Sequence, residues 1–186
     1  RALVAFDLPC ALSSTTSATP RTFKCFLAHA DKLDFGANQM AKLNAKWNMR
    51  HPSDKLWYEP RASDCPFGDI IEGVVSSNKL LLFLTHGALQ RPHIRLALMK
   101  AICTDTPLLL VHEERVVDGE FDIDDIELWT VESHESDESI IMHAIQRTFG
   151  TSSVAWSDGD VMMDAIERLI TDDDSTKSFR DANLDV

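Results

Sequence analysis

The sequence predicts an α/β protein with a five-stranded parallel sheet and helices on both of its faces. Short apolar runs alternate with helical patterns five times between residues 21 and 171. Two of these runs, centred on residues 80–84 and 107–111, are continuously apolar, which is typical of strands buried on both faces of a parallel sheet. Connections of helical length require parallel neighbouring strands, and right-handed crossovers then distribute the helices over both faces.

Five segments have the composition of strands, being short, rich in apolar residues and bounded by polar residues. The fifth of them is the weakest, since it is short and less apolar than the third and fourth. The predicted strands are Thr22–Ala28, Lys55–Tyr58, Lys79–Thr85, Pro107–Val111 and Ser153–Trp156.

Five further segments carry apolar residues at helical spacing. Pro92 stands near the start of the third, and Gly150 is expected just past the end of the fourth. The predicted helices are Ala37–Asn48, Phe67–Ser77, Ile94–Cys103, Ser136–Phe149 and Asp160–Thr171. The side chains expected to face the core are Met40, Leu43, Trp47, Ile70, Ile71, Val74, Val75, Ile140, Ile141, Ala144, Ile145, Val161, Ala165, Ile166 and Leu169. This order of elements is that of the flavodoxin-like fold, in which ligands bind at the carboxyl ends of the strands.

The composition of the chain argues against several classes of protein. The chain has 186 residues and a formal net charge of -12, which argues against binding to duplex DNA or to an anionic membrane surface because phosphates would be repelled. The four cysteines are scattered and form no C-x-x-C pair, so a reducing compartment and a cytoplasmic location are expected. No apolar run approaches the length of about 18 residues that is needed to span a bilayer.

Domain organisation follows from the polar ends of the chain. Residues 1–20 end in a run of Ser, Thr and Pro, which predicts a flexible lead-in or linker. The domain is expected to cover residues 21–171, and residues 172–186 are expected to form an acidic polar tail. The chain begins at Arg1 rather than Met, which favours a piece of a longer protein.

Charge is distributed unevenly along the chain. Residues 1–110 hold 13 basic and 9 acidic side chains, whereas residues 111–186 hold 5 basic and 21 acidic ones. Two interpretations stay open. The first, which we favour, is a solvated acidic face with an acidic tail. The second is head-to-tail packing of identical domains, basic surface to acidic surface.

The sequence lacks the motifs of several common nucleotide-binding, catalytic and metal sites. No G-x-G-x-x-G or G-x-x-x-x-G-K-[ST] loop follows the first strand, and no G-x-S-x-G elbow is present. A response regulator would have an acid after the third strand, where this chain has Thr85 and His86. Cys25 and His29 would share one face of the first strand, but a core residue beside a polar strand end is a better interpretation than a metal site.

Four blocks of sequence, in order and correctly spaced, resemble the Toll/interleukin-1 receptor (TIR) domain family. Residues 26–30, Phe-Leu-Ala-His-Ala, are similar to the first strand of that family, and residues 56–59, Leu-Trp-Tyr-Glu, to its second. Residues 66–71, Pro-Phe-Gly-Asp-Ile-Ile, resemble the segment that ends the loop after the second strand. Residues 77–85 resemble the third strand. The similarity covers residues 22–111 well and the rest of the domain only by element order.

The resemblance implies a place for an active-site carboxylate, because some TIR domains cleave the nicotinamide–ribose bond of NAD with a Glu on the third helix. In this chain the Glu position falls on Ala97, or on Arg95 if the register shifts by two residues, and the whole helix lacks Asp and Glu. Neither a methyl group nor a guanidinium can replace a carboxylate that stabilises an oxocarbenium-like centre. We therefore expect no NAD cleavage, although NAD stays open as a ligand or substrate.

Other residues remain open as substitutes in the catalytic role. Glu72 lies on the second helix, and Glu113 and Glu114 follow the fourth strand; Glu113 is the best of the three, because ligands bind at strand ends. A solvated loop acid is nevertheless the favoured interpretation of Glu113. His29 and His93 are candidates to line a pocket, with a hydrogen-bonded residue at its rim as the favoured alternative.

The resemblance further implies that the loop Glu59–Asp69 mediates self-association and partner contact. Its end, Pro66, Phe67, Gly68 and Asp69, is the predicted interaction site. We expect Pro66 and Gly68 to shape a sharp turn, Asp69 to cap the second helix, and Phe67 either to anchor a partner or to pack inward. Cys65 in the same loop has no neighbour that would activate its thiol. The predicted function is an intracellular signalling module, as in innate immunity, that assembles with itself or with other TIR-like domains.

Overall fold

A computed structural model of the chain describes residues 21–29, 35–60, 64–85, 88–113, 141, 143–145, 148, 153–156 and 160–172. Five strands form one sheet, each centred on an apolar segment of the sequence. They are β1 (Cys25–Ala28), β2 (Leu56–Trp57), β3 (Leu80–Leu84), β4 (Leu108–Glu113) and β5 (Ser153–Trp156). The predicted segment 1–20 lies outside the described residues, as does the predicted tail 172–186 apart from Asp172.

The helices connect these strands in the predicted order. They are α1 (Phe35–Arg50), α2 (Phe67–Val75), α3 (Pro92–Cys103) and α4 (Asp160–Thr171), with a short 3-10 helix at Ala88–Gln90 before α3. Residues 141, 143–145 and 148 are also helical, inside the predicted helix Ser136–Phe149. Ile140, which is expected to face the core, and Gly150, which is expected just past the end of this helix, lie outside the described residues.

The sheet has the strand order β2-β1-β3-β4-β5, and every pairing is parallel. Opposite residues include Leu27 with Leu81, and Leu82 with Leu110. This strand order is that of the flavodoxin-like fold, so the predicted fold class is confirmed. The order reverses between β1 and β3, and the carboxyl ends of these two strands mark the place where such folds bind ligands.

Alternate side chains of the strands enter two separate cores, because successive residues of a strand point to opposite faces. On one face, Phe26, Leu80 and Leu82 pack against α2, α3 and the helical residues 141 and 145. On the other face, Leu27, Leu81 and Phe83 pack against α1 and α4. The helices therefore cover both faces, as the sequence predicts.

Some sequence expectations need correction. Ile71 and Val75 of α2 are half-buried, whereas Ile70 and Val74 are buried as predicted. In α4 the buried stripe runs through Met162, Met163, Ile166 and Ile170, while Ala165 and Leu169 are only half-buried. This helix packs against β4 and β5, and apolar spacing alone does not specify which of its residues face those strands.

Candidate functional site

Two buried histidines meet at the carboxyl ends of the central strands. His29 follows β1 and is completely buried, and its Nε2–H donates to the carbonyl oxygen of Glu59, 3.0 Å away. His93, in the first turn of α3, donates from Nε2 to the carbonyl oxygen of His29 at 3.1 Å. These bonds connect the ends of β1 and β2 to the start of α3, so both imidazoles have a structural role at the carboxyl ends of the strands.

Beneath these histidines lies a small cavity with room for about one water molecule. None of its lining residues is acidic; they are Phe26, Leu27, Ala28, His29, Trp57, Ile70, His93, Ile94 and Ala97. Ala97 is 1% exposed and belongs to the apolar core. The position that the resemblance assigns to a Glu is thus a buried methyl group, and the alternative position, Arg95, is half-buried.

The three substitute carboxylates have different places in the fold. Glu72 is exposed on α2, away from the cavity lining. Glu113 is the last residue of β4, which extends two residues beyond its predicted end, and its backbone is opposite Trp156. Glu114 lies outside the described residues. The backbone of Glu113 therefore lies at the carboxyl end of β4, the position that the sequence predicts for this residue.

The predicted interaction residues Pro66, Phe67, Gly68 and Asp69 are all exposed. Phe67 is 40% exposed, so of the two predicted alternatives for its ring the structure favours the outward one. We call these four residues, together with Glu72, the α2 surface. None of the five residues lines the cavity, and the helix packs on the sheet through Ile70, Gly73 and Val74.

Two expectations about this segment are wrong. Asp69 does not cap α2, because the N-cap is Pro66 and no side chain bonds there; Asp69 lies inside the first turn, where its backbone N–H donates to the Pro66 carbonyl at 3.0 Å. Gly68 is helical and has no left-handed φ, and a Cβ there would meet no atom within 4 Å. The helix begins at Phe67, three residues earlier than a cap at Asp69 would require, so neither residue shapes a turn.

Burial raises the pKa of three titratable groups in and near this edge, and nearby carboxylates add to the shift in two of them. The pKa of the Cys65 thiol is raised by burial and by the negative charges of Asp69 and Glu59. The pKa of Tyr58, whose ring is 5.7 Å from that of His29, is raised by burial and by Glu59. In β1, burial raises the pKa of Cys25 to about 12. None of these groups is activated as a nucleophile.

Charged contacts between α1 and α4 were not predicted from the sequence. Arg50 donates from Nη1 to Asp164 at 2.7 Å and to Glu167 at 2.6 Å, and His51 bonds Glu167 at 2.8 Å. The buried Lys79 ammonium donates to the carbonyl oxygen of Leu169 at the end of α4. The residues involved are 90 to 117 positions apart in sequence, and no local signal relates such distant charges.

Across the described ranges, no three His, Cys, Asp or Glu residues cluster in a way that could hold a metal ion. In the same part of the chain, no helix has the length and apolar character that crossing a bilayer requires. Comparison with known protein families and with curated proteins gave no match to this chain.

Proposed function

We propose that this chain is a TIR-like interaction module that acts in intracellular signalling by assembling with copies of itself or with related domains. The observation that carries the proposal is the contrast at one edge of the sheet. The α2 surface is exposed and contains an aromatic ring, whereas the position of the family's carboxylate is a methyl group in a cavity of about one water molecule. Exposed aromatic residues are common anchors of protein interfaces.

The close packing of α2 against the sheet supports the same function. Gly73 lies so close to the sheet that a Cβ would be 2.7 Å from Trp57 Cε2, and Trp57 stacks on Phe26 with ring centroids 4.2 Å apart. The first turn of α2 is held by the backbone bond from Asp69 to Pro66. A surface that is ordered before binding loses less entropy when a partner docks.

Sedimentation velocity of the chain over a range of concentrations tests this function. We expect self-association that weakens in high salt, and Phe67→Ala should weaken it about tenfold with little change in melting temperature. Lys55→Ala is the matched control, because it truncates an exposed long side chain before β2, at the opposite edge of the sheet. A chain that stays monomeric alone, and also with TIR domains offered as partners, would contradict the proposal.

NAD cleavage is the second candidate, and the position of Glu113 at the carboxyl end of β4 is the observation that favours it. Incubation with NAD, with released nicotinamide as the readout, distinguishes the two functions. Turnover that is lost in Glu113→Ala and kept in Ala97→Gly would establish the enzyme. Thermal stabilisation by NAD or ADP-ribose without turnover would indicate a domain that binds the nucleotide without cleaving it.

A further inference from the structure

Two large apolar side chains are markedly exposed among the described residues, and they lie on different helices. Met49 is 84% exposed near the end of α1, and Phe67 is 40% exposed at the start of α2. Around Met49 the outer side of α1 is formed by the exposed residues Ala41, Lys42 and Ala45. We call these four residues the α1 surface. Ala41 and Lys42 are neighbours, and Ala45 and Met49 follow at spacings of three or four residues, so all four lie on one side of the helix.

The two surfaces have opposite charge. The sequence of α1 contains three basic residues and no acidic one, whereas that of α2 contains two acidic residues and no basic one. Arg50 is exposed but already bound to α4, and Lys46 is half-buried, so Lys42 is the exposed cation of α1 outside these contacts. On α2, Asp69 and Glu72 are exposed and form no ion pair with another described residue.

The two surfaces cannot meet within one molecule, because α1 and α2 pack on opposite faces of the sheet. We propose that the α2 surface of one copy docks on the α1 surface of a second copy. Phe67 and Met49 would supply the apolar contact, and Lys42 would complement Asp69 and Glu72. Helix α3 is also basic, but it packs beside α2 on the same face, and its cations Arg95 and Lys100 are half-buried.

A contact between two different surfaces leaves one of each unused at the ends of every dimer. Such heterologous association continues into an open chain or closes into a ring, unlike a two-fold contact, which stops at two copies. This inference rests on the proposed function, and it adds the identity of the docking surface and the head-to-tail arrangement. Assembly should therefore pass beyond the dimer and weaken as salt screens the charges.

Charge exchange tests the docking surface by sedimentation velocity. We expect Lys42→Glu and the double variant Asp69→Lys/Glu72→Lys each to weaken association about tenfold or more. An equimolar mixture of the two should recover most of the wild-type assembly, because each contact then again pairs opposite charges. The matched control is Lys55→Glu, which makes the same charge change at an exposed site outside both surfaces and should leave association within about threefold of wild type.

The outcomes separate this inference from the proposed function. If the wild type self-associates, and the Lys42→Glu and Lys55→Glu variants self-associate equally well, the proposed function is kept and docking on α1 is overturned. Assembly that stops at the dimer, or a mixture of charge variants that stays dissociated, also overturns the head-to-tail contact. Loss of all association in the wild type contradicts both. Melting temperatures of the variants close to that of the wild type would show that the changes act on the interface.

Discussion

The two faces of the sheet are held by different contacts at their margins. On the face of α2 and α3, the close approach of Gly73 to Trp57 and the stack of Trp57 on Phe26 bring the helix against the sheet. The face of α1 and α4 has an apolar core of similar kind, but charged contacts from Arg50, His51 and Lys79 surround the last helix. The first face is thus stabilised by close packing, whereas the second also has ion pairs and a hydrogen-bonded ammonium group.

This difference bears on function because each proposed surface belongs to one face. The α2 surface stands on the closely fitted face, where a change of volume at Gly73 would displace it. The α1 surface neighbours the charged contacts, since Met49 is adjacent to Arg50. Volume changes and charge changes should therefore act on different faces, and the following predictions test this from the largest expected effect to the smallest.

Gly73→Ala should cost about 1–3 kcal/mol of unfolding free energy, because the new methyl group would be 2.7 Å from the Trp57 ring and 2.9 Å from Phe26. The loss would exceed the helix-propensity gain that the same change normally brings. Chemical denaturation measures it, and Trp fluorescence should report the disturbed stack. A stability equal to or above wild type would show that fit does not limit this face.

Lys79→Met should cost about 1–3 kcal/mol, because it leaves the carbonyl oxygens of Leu169 and Asp172 without their ammonium donor at the end of α4. Lys55→Met is the control, because Lys55 is an exposed lysine directly before the edge strand β2. This substitution should change the unfolding free energy by less than about 0.5 kcal/mol. Equal effects of the two substitutions would show that the buried ammonium does not hold α4.

Gly68→Ala should raise the unfolding free energy by about 0.5–1 kcal/mol, because the residue is helical and a Cβ has open space there. This is the counterpart of Gly73→Ala in the same helix. The measurement is the denaturation midpoint of both variants side by side. Destabilisation by Gly68→Ala would mean that this glycine does need a conformation closed to other residues.

Glu167 gives the face of α1 and α4 a dependence on pH. Hydrogen bonds from Arg50 and then His51 lower the pKa of this carboxyl. Because the folded pKa is below the unfolded one, the stabilisation is fully present above the ordinary glutamate pKa of about 4.3 and is lost as pH falls through the folded value. Glu167→Gln should therefore flatten the acid limb of a stability–pH curve.

The effect at Glu167 should be the smallest of the four, since its carboxylate is near the surface and salt screens it. Glu72→Gln is the control, because it removes the same charge from an exposed site on the other face. Thermal melts between about pH 6 and about pH 3, at low and high salt, provide the measurement. Identical curves for the two variants would contradict a role for charge at α4.

Much of the fold could be predicted from the sequence because strands and helices each have a characteristic spacing of apolar residues. The continuous apolar residues of β3 and β4 predicted a parallel sheet, and Met40, Leu43 and Trp47 predicted the buried side of α1. These patterns depend on local geometry, since a helix repeats every 3.6 residues and a strand every two. The absence of a carboxylate along α3 was likewise visible in the sequence, and the structure places Ala97 in the core.

The tertiary structure alone decided which residues come together. Lys79 meets the end of α4 from 90 residues away, and Arg50 meets Glu167 from 117 residues away. The sequence predicted that α2 begins at Phe67 but left open whether this side chain is exposed, and in the structure Phe67 is 40% exposed. Sequence determines local periodicity, whereas long-range contacts depend on how the elements pack, which no single segment contains.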